Sequence, residues 1–417
     1  MHISSKVNSL AFSGTMQISG KAKELKAQGV NVIDLSVGEP DFPTPQRVKD
    51  AALQAMNDGH TGYTMAAGII PLREAVSKWI KDFSGLDYAT NEIIVSNGAK
   101  HSLYNTFQTI IEPGEEVIIP APYWVTYPAL VEIADGVPVY IETGSESNFK
   151  ITAEQLKEAI TEKTRALVLC NPSNPTGSVY TKEELEAIGK IVLENDLYVI
   201  SDEIYSRLVY NDFEYVSFPA LSPELKKKTI LIDGVSKSYS MTGWRIGFAA
   251  AEKELISGMG KLQSQMTSNP SSISQYAALE AISGPQDDVE EMRKTFSERR
   301  EFLLKALNEM DGVTAEDAQG AFYLFPDFSS FFGKSFNETK IEGSMDLAMY
   351  LIAEAQVATV PGSVFGAEGF MRIAYATSVE NLEEGIERIK VALNKLSWFY
   401  FNWCHGPFHD TEYFYAG

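Results

Sequence analysis

Lys237 follows the apolar run Thr229-Ile230-Leu231-Ile232 and sits in Asp233-Gly234-Val235-Ser236-Lys237-Ser238-Tyr239-Ser240-Met241-Thr242-Gly243-Trp244-Arg245. An amine among small hydroxyl-bearing residues and glycines, at the end of a buried strand, can add to a carbonyl and form a Schiff base. The same stretch also fits a plain βα loop with a surface lysine. Four other apolar runs end in groups that bear chemistry. Ile93-Ile94-Val95 leads into Ser96-Asn97-Gly98-Ala99-Lys100, and Val117-Ile118-Ile119 into Pro120-Ala121-Pro122-Tyr123-Trp124. Ala166 to Leu169 leads, through Cys170, into Asn171-Pro172-Ser173-Asn174-Pro175-Thr176-Gly177, and Leu197 to Ile200 into Ser201-Asp202-Glu203-Ile204-Tyr205. Small residues between a strand and the helix starting at Leu103-Tyr104-Asn105 suit an anion, because free N–H groups and the helix dipole face it.

These groups can meet only if the elements between them bring the strand ends together. Short apolar strands alternating with helical stretches predict an α/β fold with a mainly parallel sheet, and such sheets bind ligands at the carboxyl ends of their strands. Before that region, residues 1–14 read as an irregular arm. Ile18, Ala22 and Leu25 then recur at helical spacing up to Gly29, and Val30 to Leu35 reads as a strand. Gly38 lies in the proline-rich loop after it, and Thr44-Pro45 opens a helix with Pro at its first position. Thr181 and Glu184 form a capping box. From about residue 285 the texture changes to a long charged helix, short strands and a last helix. Ser378 caps that helix, and Leu382, Ile386, Ile389 and Leu393 form its apolar face. The expected division is 1–45 as arm and part of a small domain, 46–285 as the large domain, 286–396 as a smaller α+β domain, and 397–417 as an aromatic tail of unknown role.

The chain has 417 residues, 44% hydrophobic and 22% charged, with a net charge of −21. That balance suits a soluble protein and disfavours nucleic acid or an anionic membrane as partner. Two cysteines make no disulfide framework, so a reducing, cytoplasmic setting is expected. The first thirty residues read as neither a signal peptide nor a membrane span. Cys404-His405 lacks further ligands, so no metal is expected. No Gly-x-Gly-x-x-Gly turn follows a first strand, which disfavours a nicotinamide dehydrogenase. With chemical motifs from about residue 38 and an acidic chain, a DNA-binding regulator is disfavoured too.

Read together, the strand ends offer an amine (Lys237), a carboxylate (Asp202), phenol and amide donors (Tyr205, Asn174), an aromatic plate (Trp124) and a cationic cup (Gly98, Ala99, Lys100, Arg245). A flat aromatic aldehyde bearing a phosphate and a pyridine nitrogen needs these parts, which points to pyridoxal 5'-phosphate. Asn171-Pro172-Ser173-Asn174-Pro175-Thr176-Gly177, Ser201-Asp202-Glu203-Ile204-Tyr205 and Ser236-Lys237-x7-Arg245-x-Gly247 resemble the class I aminotransferases of PLP fold type I. The likeness is strongest to the bacterial aspartate aminotransferases of the subgroup that includes aspartate/prephenate aminotransferases, over about residues 5–396. It implies that Lys237 carries the cofactor and then moves the substrate Cα proton. Asp202 holds the pyridine nitrogen protonated, Tyr205 and Asn174 donate to the ring oxygen, and Trp124 stacks on the ring. Gly98, Ala99, Lys100, Ser236 and Arg245 surround the phosphate, Tyr63 reaches the phosphate of the neighbouring subunit in a homodimer, and Asn174-Pro175 is a cis peptide.

The resemblance also assigns the substrate contacts. Arg372 binds the α-carboxylate, with Gly38 and Asn174 beside it and Trp124 lining the site. Lys100 and Thr15 take a side-chain carboxylate, so L-aspartate with 2-oxoglutarate is the expected pair, by a ping-pong route. Leu10-Ala11-Phe12 lacks the basic residue that prephenate-using members tend to carry just before the Ser-x-Thr of the arm, here Ser13-Gly14-Thr15, which argues against prephenate. The alternatives are an aminotransferase for alanine, aromatic amino acids or kynurenine, and a cysteine-conjugate β-lyase on the same fold.

Overall fold

A computed structural model describes residues 2–10, 14–337 and 339–398, without the side chains of residues 9 and 14–16. Seven strands form the central sheet: β1 (Ile93–Ser96), β2 (Glu116–Ala121), β3 (Val137–Glu142), β4 (Thr164–Cys170), β5 (Tyr198–Asp202), β6 (Thr229–Gly234) and β7 (Gly247–Ala250). Their spatial order is β1-β7-β6-β5-β4-β2-β3. Only β7 runs antiparallel to its neighbours β1 and β6; the other pairings are parallel.

The strands read as continuous apolar runs because both faces of the sheet are covered. Alternate residues serve alternate faces. Val117, Ile119, Ala166, Val168, Ile200 and Ile232 pack with Leu103, Phe107 and Met259 of the helices Ala99–Ile110 and Lys253–Met266. Ile118, Leu167, Leu169 and Val199 pack with Leu185, Ile188 and Val192 of the helix Lys182–Glu194. Thr181 begins that helix with the expected capping box to Glu184.

The rest of the chain builds a second core. The short strand Ile33–Asp34 pairs in parallel with Val357–Ala358, so the N-terminal segment joins elements more than 300 residues later. Met371–Ala374 pairs antiparallel with Val360–Pro361 and with Tyr323–Leu324. Ile18, Ile33 and Leu35 pack in the same cluster as Leu324, Ile373, Leu382 and Ile389. Ser378 caps the helix Val379–Leu393, accepting from the N–H of Asn381. No helix among the described residues is long and apolar enough to cross a membrane.

Several local expectations change. The strand expected over 30–35 contracts to two residues, because only Ile33 and Asp34 find a partner strand. Pro45 is the N-cap, and its helix is Gln46–Asn57; with its amide hydrogen missing, Pro45 fits either flank of a helix start. The cis peptides lie at Ala121–Pro122 and Asn171–Pro172, not at Asn174–Pro175. Residues 173–178 form a tight reversal instead, with Ser173 N–H donating to the Ser178 carbonyl and Gly177 at φ +71° making the turn. Of the aromatic tail, Ser397–Trp398 pairs with Lys334–Ser335, and residues 399–417, Cys404 and His405 included, lie outside the described residues.

Candidate active site

The carboxyl ends of β1, β2, β4, β5 and β6 open on one cavity of about 480 Å³. Arg245 joins them because β7 runs the other way, which puts its start at the same sheet edge. Of the expected site residues, Ala99, Lys100, Trp124, Asn174, Asp202, Tyr205, Ser236, Lys237 and Arg245 line this cavity, as do Gly38 and Arg372 from the second core. Gly98 lies immediately behind Arg245. Tyr63 is 92% exposed and does not line its own chain's cavity. Thr15 falls in the first turn of the helix Gly14–Ala27, and its side chain lies outside the described residues.

Lys237 is half-buried, and its ammonium donates to the carbonyl of Gly38. Burial first, then the charge of Arg372, lowers its pKa from the usual lysine range to about 8. A sizeable neutral fraction near neutral pH is what a nucleophile or proton carrier needs.

Asp202 is 3% exposed at the end of β5. Burial pushes its carboxyl up to about 6, while the Tyr127 hydroxyl, the Ile204 N–H and the Lys237 charge hold it down. Tyr127 donates to it at 2.7 Å and Ile204 N–H at 3.3 Å. The bond to Ile204 closes a two-residue turn rather than capping a helix. Tyr127 is a site residue that sequence reasoning missed. It lies three positions after Trp124, and the two rings meet edge-on with centroids 5.4 Å apart. Cys170 is the last residue of β4 and lines the cavity wall. Burial drives its thiol up to about 12, so it is no nucleophile.

Arg372 comes from Met371–Ala374 and is buried. It donates to the side-chain oxygen of Asn174 at 2.9 Å and to the Ser36 carbonyl at 2.7 Å. Its Nε is buried with no partner. The ring of Tyr323 lies 4.4 Å from the guanidinium, and the Tyr323 and Tyr205 hydroxyls share a hydrogen bond of 2.9 Å. Tyr323 and Ser36 were also missed. Tyr323 sits in an apolar run that reads as core, and Ser36 contributes only a backbone carbonyl.

The loop after β1 leads into the helix Ala99–Ile110 through Gly98, at φ +85°. A Cβ there would lie 2.4 Å from Nη2 of Arg245, so only glycine lets the guanidinium cross this helix start. Gly247 is as tightly placed: a Cβ would meet the Ala99 nitrogen at 2.1 Å. Arg245 spends two nitrogens on the Thr242 and Asn97 carbonyls. Lys100 stays open to solvent but rests its ammonium 4.8 Å over the Trp124 ring. Partial burial and the charge of Arg245 lower its pKa.

Among the described residues, no carboxylate forms an ion pair with Lys100, Lys237, Arg245 or Arg372. Four unpaired cations in one cavity of a chain with net charge −21 make a site for a multiply anionic ligand. A phosphate fits the glycine-lined helix start beside Arg245, and an aldehyde fits the Lys237 amine. A pyridine nitrogen fits Asp202. These residues therefore suit pyridoxal phosphate.

Comparison with known proteins agrees with this donor set. The family model "Aminotransferase class I and II" matches residues 30–389. An aspartate aminotransferase of Bacillus sp. (strain YM-2) is 53% identical over 387 residues, covering 93% of this chain and 98% of that protein. An aspartate/prephenate aminotransferase of Nitrosomonas europaea is 43% identical, covering 94% and 100%. The crystal structure of the Rhizobium meliloti aspartate aminotransferase superposes with a TM-score of 0.92 at 41% identity, covering 95% and 100%. The chain thus belongs to the class I and II aminotransferases, the fold type I enzymes that depend on pyridoxal phosphate, in the group that holds the bacterial aspartate and aspartate/prephenate aminotransferases.

Proposed function

We propose that this aminotransferase moves the amino group of L-aspartate to 2-oxoglutarate, giving oxaloacetate and L-glutamate by a ping-pong route. The observation that carries this reading is the set of four cations without carboxylate partners in one cavity. A phosphate accounts for Arg245, and an α-carboxylate accounts for Arg372. Lys100 then remains for a second carboxylate, which aspartate and glutamate have and alanine lacks. Relatives named as aspartate aminotransferases are consistent with this choice.

Bound pyridoxal phosphate supplies an aldehyde that takes the amino group and a ring that accepts the electron pair left when the Cα–H bond breaks. Each side chain has a task beside it. Lys237 would hold the cofactor through its amine, and its free amine would carry the Cα proton as base and acid. Its lowered pKa suits both directions of that transfer. Asp202, which accepts from the Tyr127 hydroxyl, would offer a negative charge to the ring nitrogen. Tyr205 and the Asn174 amide would supply donors to the ring oxygen. Arg372 is already oriented by Asn174 and Ser36, so a carboxylate meets a fixed fork. Trp124 forms the aromatic plate.

Tyr63 is best read as serving the phosphate of a second copy. It projects from the loop 62–69, with Leu53, Met56, Met65 and Ile70 of the same region also exposed. Exposed apolar side chains of this kind suit a homodimer interface. Thr15 is proposed to serve the distal carboxylate.

Steady-state rates with aspartate, prephenate, alanine, phenylalanine, kynurenine and a cysteine conjugate test the substrate reading. Aspartate should be used best, with oxaloacetate formed beyond one equivalent per site only when 2-oxoglutarate is present. An enzyme that used alanine as well as aspartate would remove the role of Lys100.

A further inference from the structure

Gln263 lies on the helix Lys253–Met266, outside the cavity, and is fully buried. Its amide uses all four of its hydrogen-bonding positions. The oxygen accepts from the Ser96 hydroxyl at 2.7 Å and from the Asn105 amide at 2.9 Å. The nitrogen donates to the Val95 carbonyl at 2.8 Å and to the Ala66 carbonyl at 2.6 Å. Val95 and Ser96 end β1 and lead into the loop at Gly98; Asn105 belongs to the helix that starts from that loop. Ala66 belongs to the loop that carries Tyr63.

That second loop is tied down although Tyr63 itself projects into solvent. Val95 N–H donates to the Ala67 carbonyl at 3.0 Å, and Gly68 packs so closely on Val95 that a Cβ would lie 2.8 Å from its side chain. Gln275, also fully buried, accepts from the Ile69 N–H at 2.7 Å and donates to the Thr64 hydroxyl at 3.2 Å. An apolar side chain would fill the same space with less desolvation. A saturated buried amide fixes instead the relative position of the groups it joins.

We infer that Gln263 is a positioning residue for the cofactor phosphate in both sites of the dimer. It sets the loop at Gly98 for its own site and the Tyr63 loop for the site of the partner subunit. This rests on the pyridoxal-phosphate dimer proposed above. The two phosphate-directed segments are far apart in sequence, yet one amide holds both, so a shift in either is felt by the other.

Gln263→Glu keeps the size and the acceptor oxygen but leaves at most one donor for two carbonyls. Cofactor-stripped protein is titrated with pyridoxal phosphate, read by tryptophan quenching and by the visible band, with the melting temperature of the stripped protein measured alongside. The expected result is a dissociation constant raised about tenfold or more in Gln263→Glu. Tyr63→Phe should weaken binding in the native background and add little in the Gln263→Glu background, because both act through one loop. A dissociation constant within about twofold of the native one, with only the melting temperature lowered, would overturn the inference. So would full additivity of the two substitutions. Should Gln263→Glu not fold, Ser96→Ala removes one bond to the same amide and should raise the constant several-fold; an unchanged constant there overturns the inference as well. Native protein that binds no pyridoxal phosphate would instead sink the function proposed above and this inference with it.

Discussion

Arg372 donates to Asn174 at 2.9 Å, although the two lie 198 residues apart and belong to different cores of the molecule. Asn174 follows the end of β4 in the central sheet, whereas Arg372 sits on the short strand Met371–Ala374. Both are buried and line the cavity, so their bond joins its two walls. A carboxylate held by Arg372 is therefore also placed relative to Lys237, which donates to Gly38 two residues after the Ser36 carbonyl that receives the second arginine bond. A lysine ammonium is a single point donor without the planar fork that spans both contacts and a bidentate carboxylate. Arg372→Lys is expected to lower kcat/KM for every amino acid by about 100-fold or more, with the cofactor spectrum unchanged. Steady-state kinetics check this, and a loss limited to one substrate would contradict it.

Tyr127 opposes the burial that pushes Asp202 up to about 6. Removing its hydroxyl leaves burial less opposed, so the carboxyl pKa must rise. If Asp202 works as an anion, the acid limb of the kcat/KM profile moves to higher pH in Tyr127→Phe, by about one unit. A pH–rate series checks the shift. An unmoved limb would mean that Asp202 does not set it.

Lys237 carries the opposite perturbation. Burial and neighbouring cations favour its neutral amine, so its pKa lies near 8 rather than at the usual lysine value. The rate at which cofactor-free enzyme takes up pyridoxal phosphate should therefore rise with pH around a midpoint near 8. The sign also fixes a stability effect. Between about 8 and the unfolded lysine pKa, the unfolded chain binds more protons, so this group makes the cofactor-free protein more stable as pH rises through that window. Lys237→Ala should lose that slope in a melting series.

Gly98 combines φ +85° with the approach of Arg245. Gly98→Ala pays for the left-handed backbone, about 1 kcal/mol, and also drives the guanidinium from its place. Cofactor affinity should fall by about tenfold or more, well beyond what the small loss in melting temperature implies. Equal losses in both would reduce Gly98 to a structural glycine.

Much of this site is legible because chemistry interrupts apolar runs. Lys237, Asp202, Asn174 and the Gly98 loop all stand where a buried strand stops, and parallel strands stop on one side of a sheet. Arg245 was assigned from the motif alone. Its place follows from the reversal of β7, and the apolar run Gly247-Phe248-Ala249-Ala250 carries no sign of direction. Tyr323 and Tyr127 look like core aromatics because both are buried; the Tyr127 hydroxyl on Asp202 and the Tyr323 ring beside Arg372 show only in the fold. Ser36 acts through a carbonyl, which no side-chain pattern reveals. Gln263 and Gln275 lie on helices far from any motif, and their value depends on partners that only the fold assembles. The cis bond was assigned to the wrong proline of Asn171-Pro172-Ser173-Asn174-Pro175 because both are Asn-Pro pairs, alike in local sequence.

The assignment of Lys237 as the cofactor anchor is tested most directly by reduction and mapping. Enzyme loaded with pyridoxal phosphate is treated with borohydride, digested and analysed by mass spectrometry. A single phosphopyridoxyl group on Lys237, absent when excess aspartate is added before reduction, is the predicted result. A group on Lys100 or on another lysine, or none at all, would contradict it.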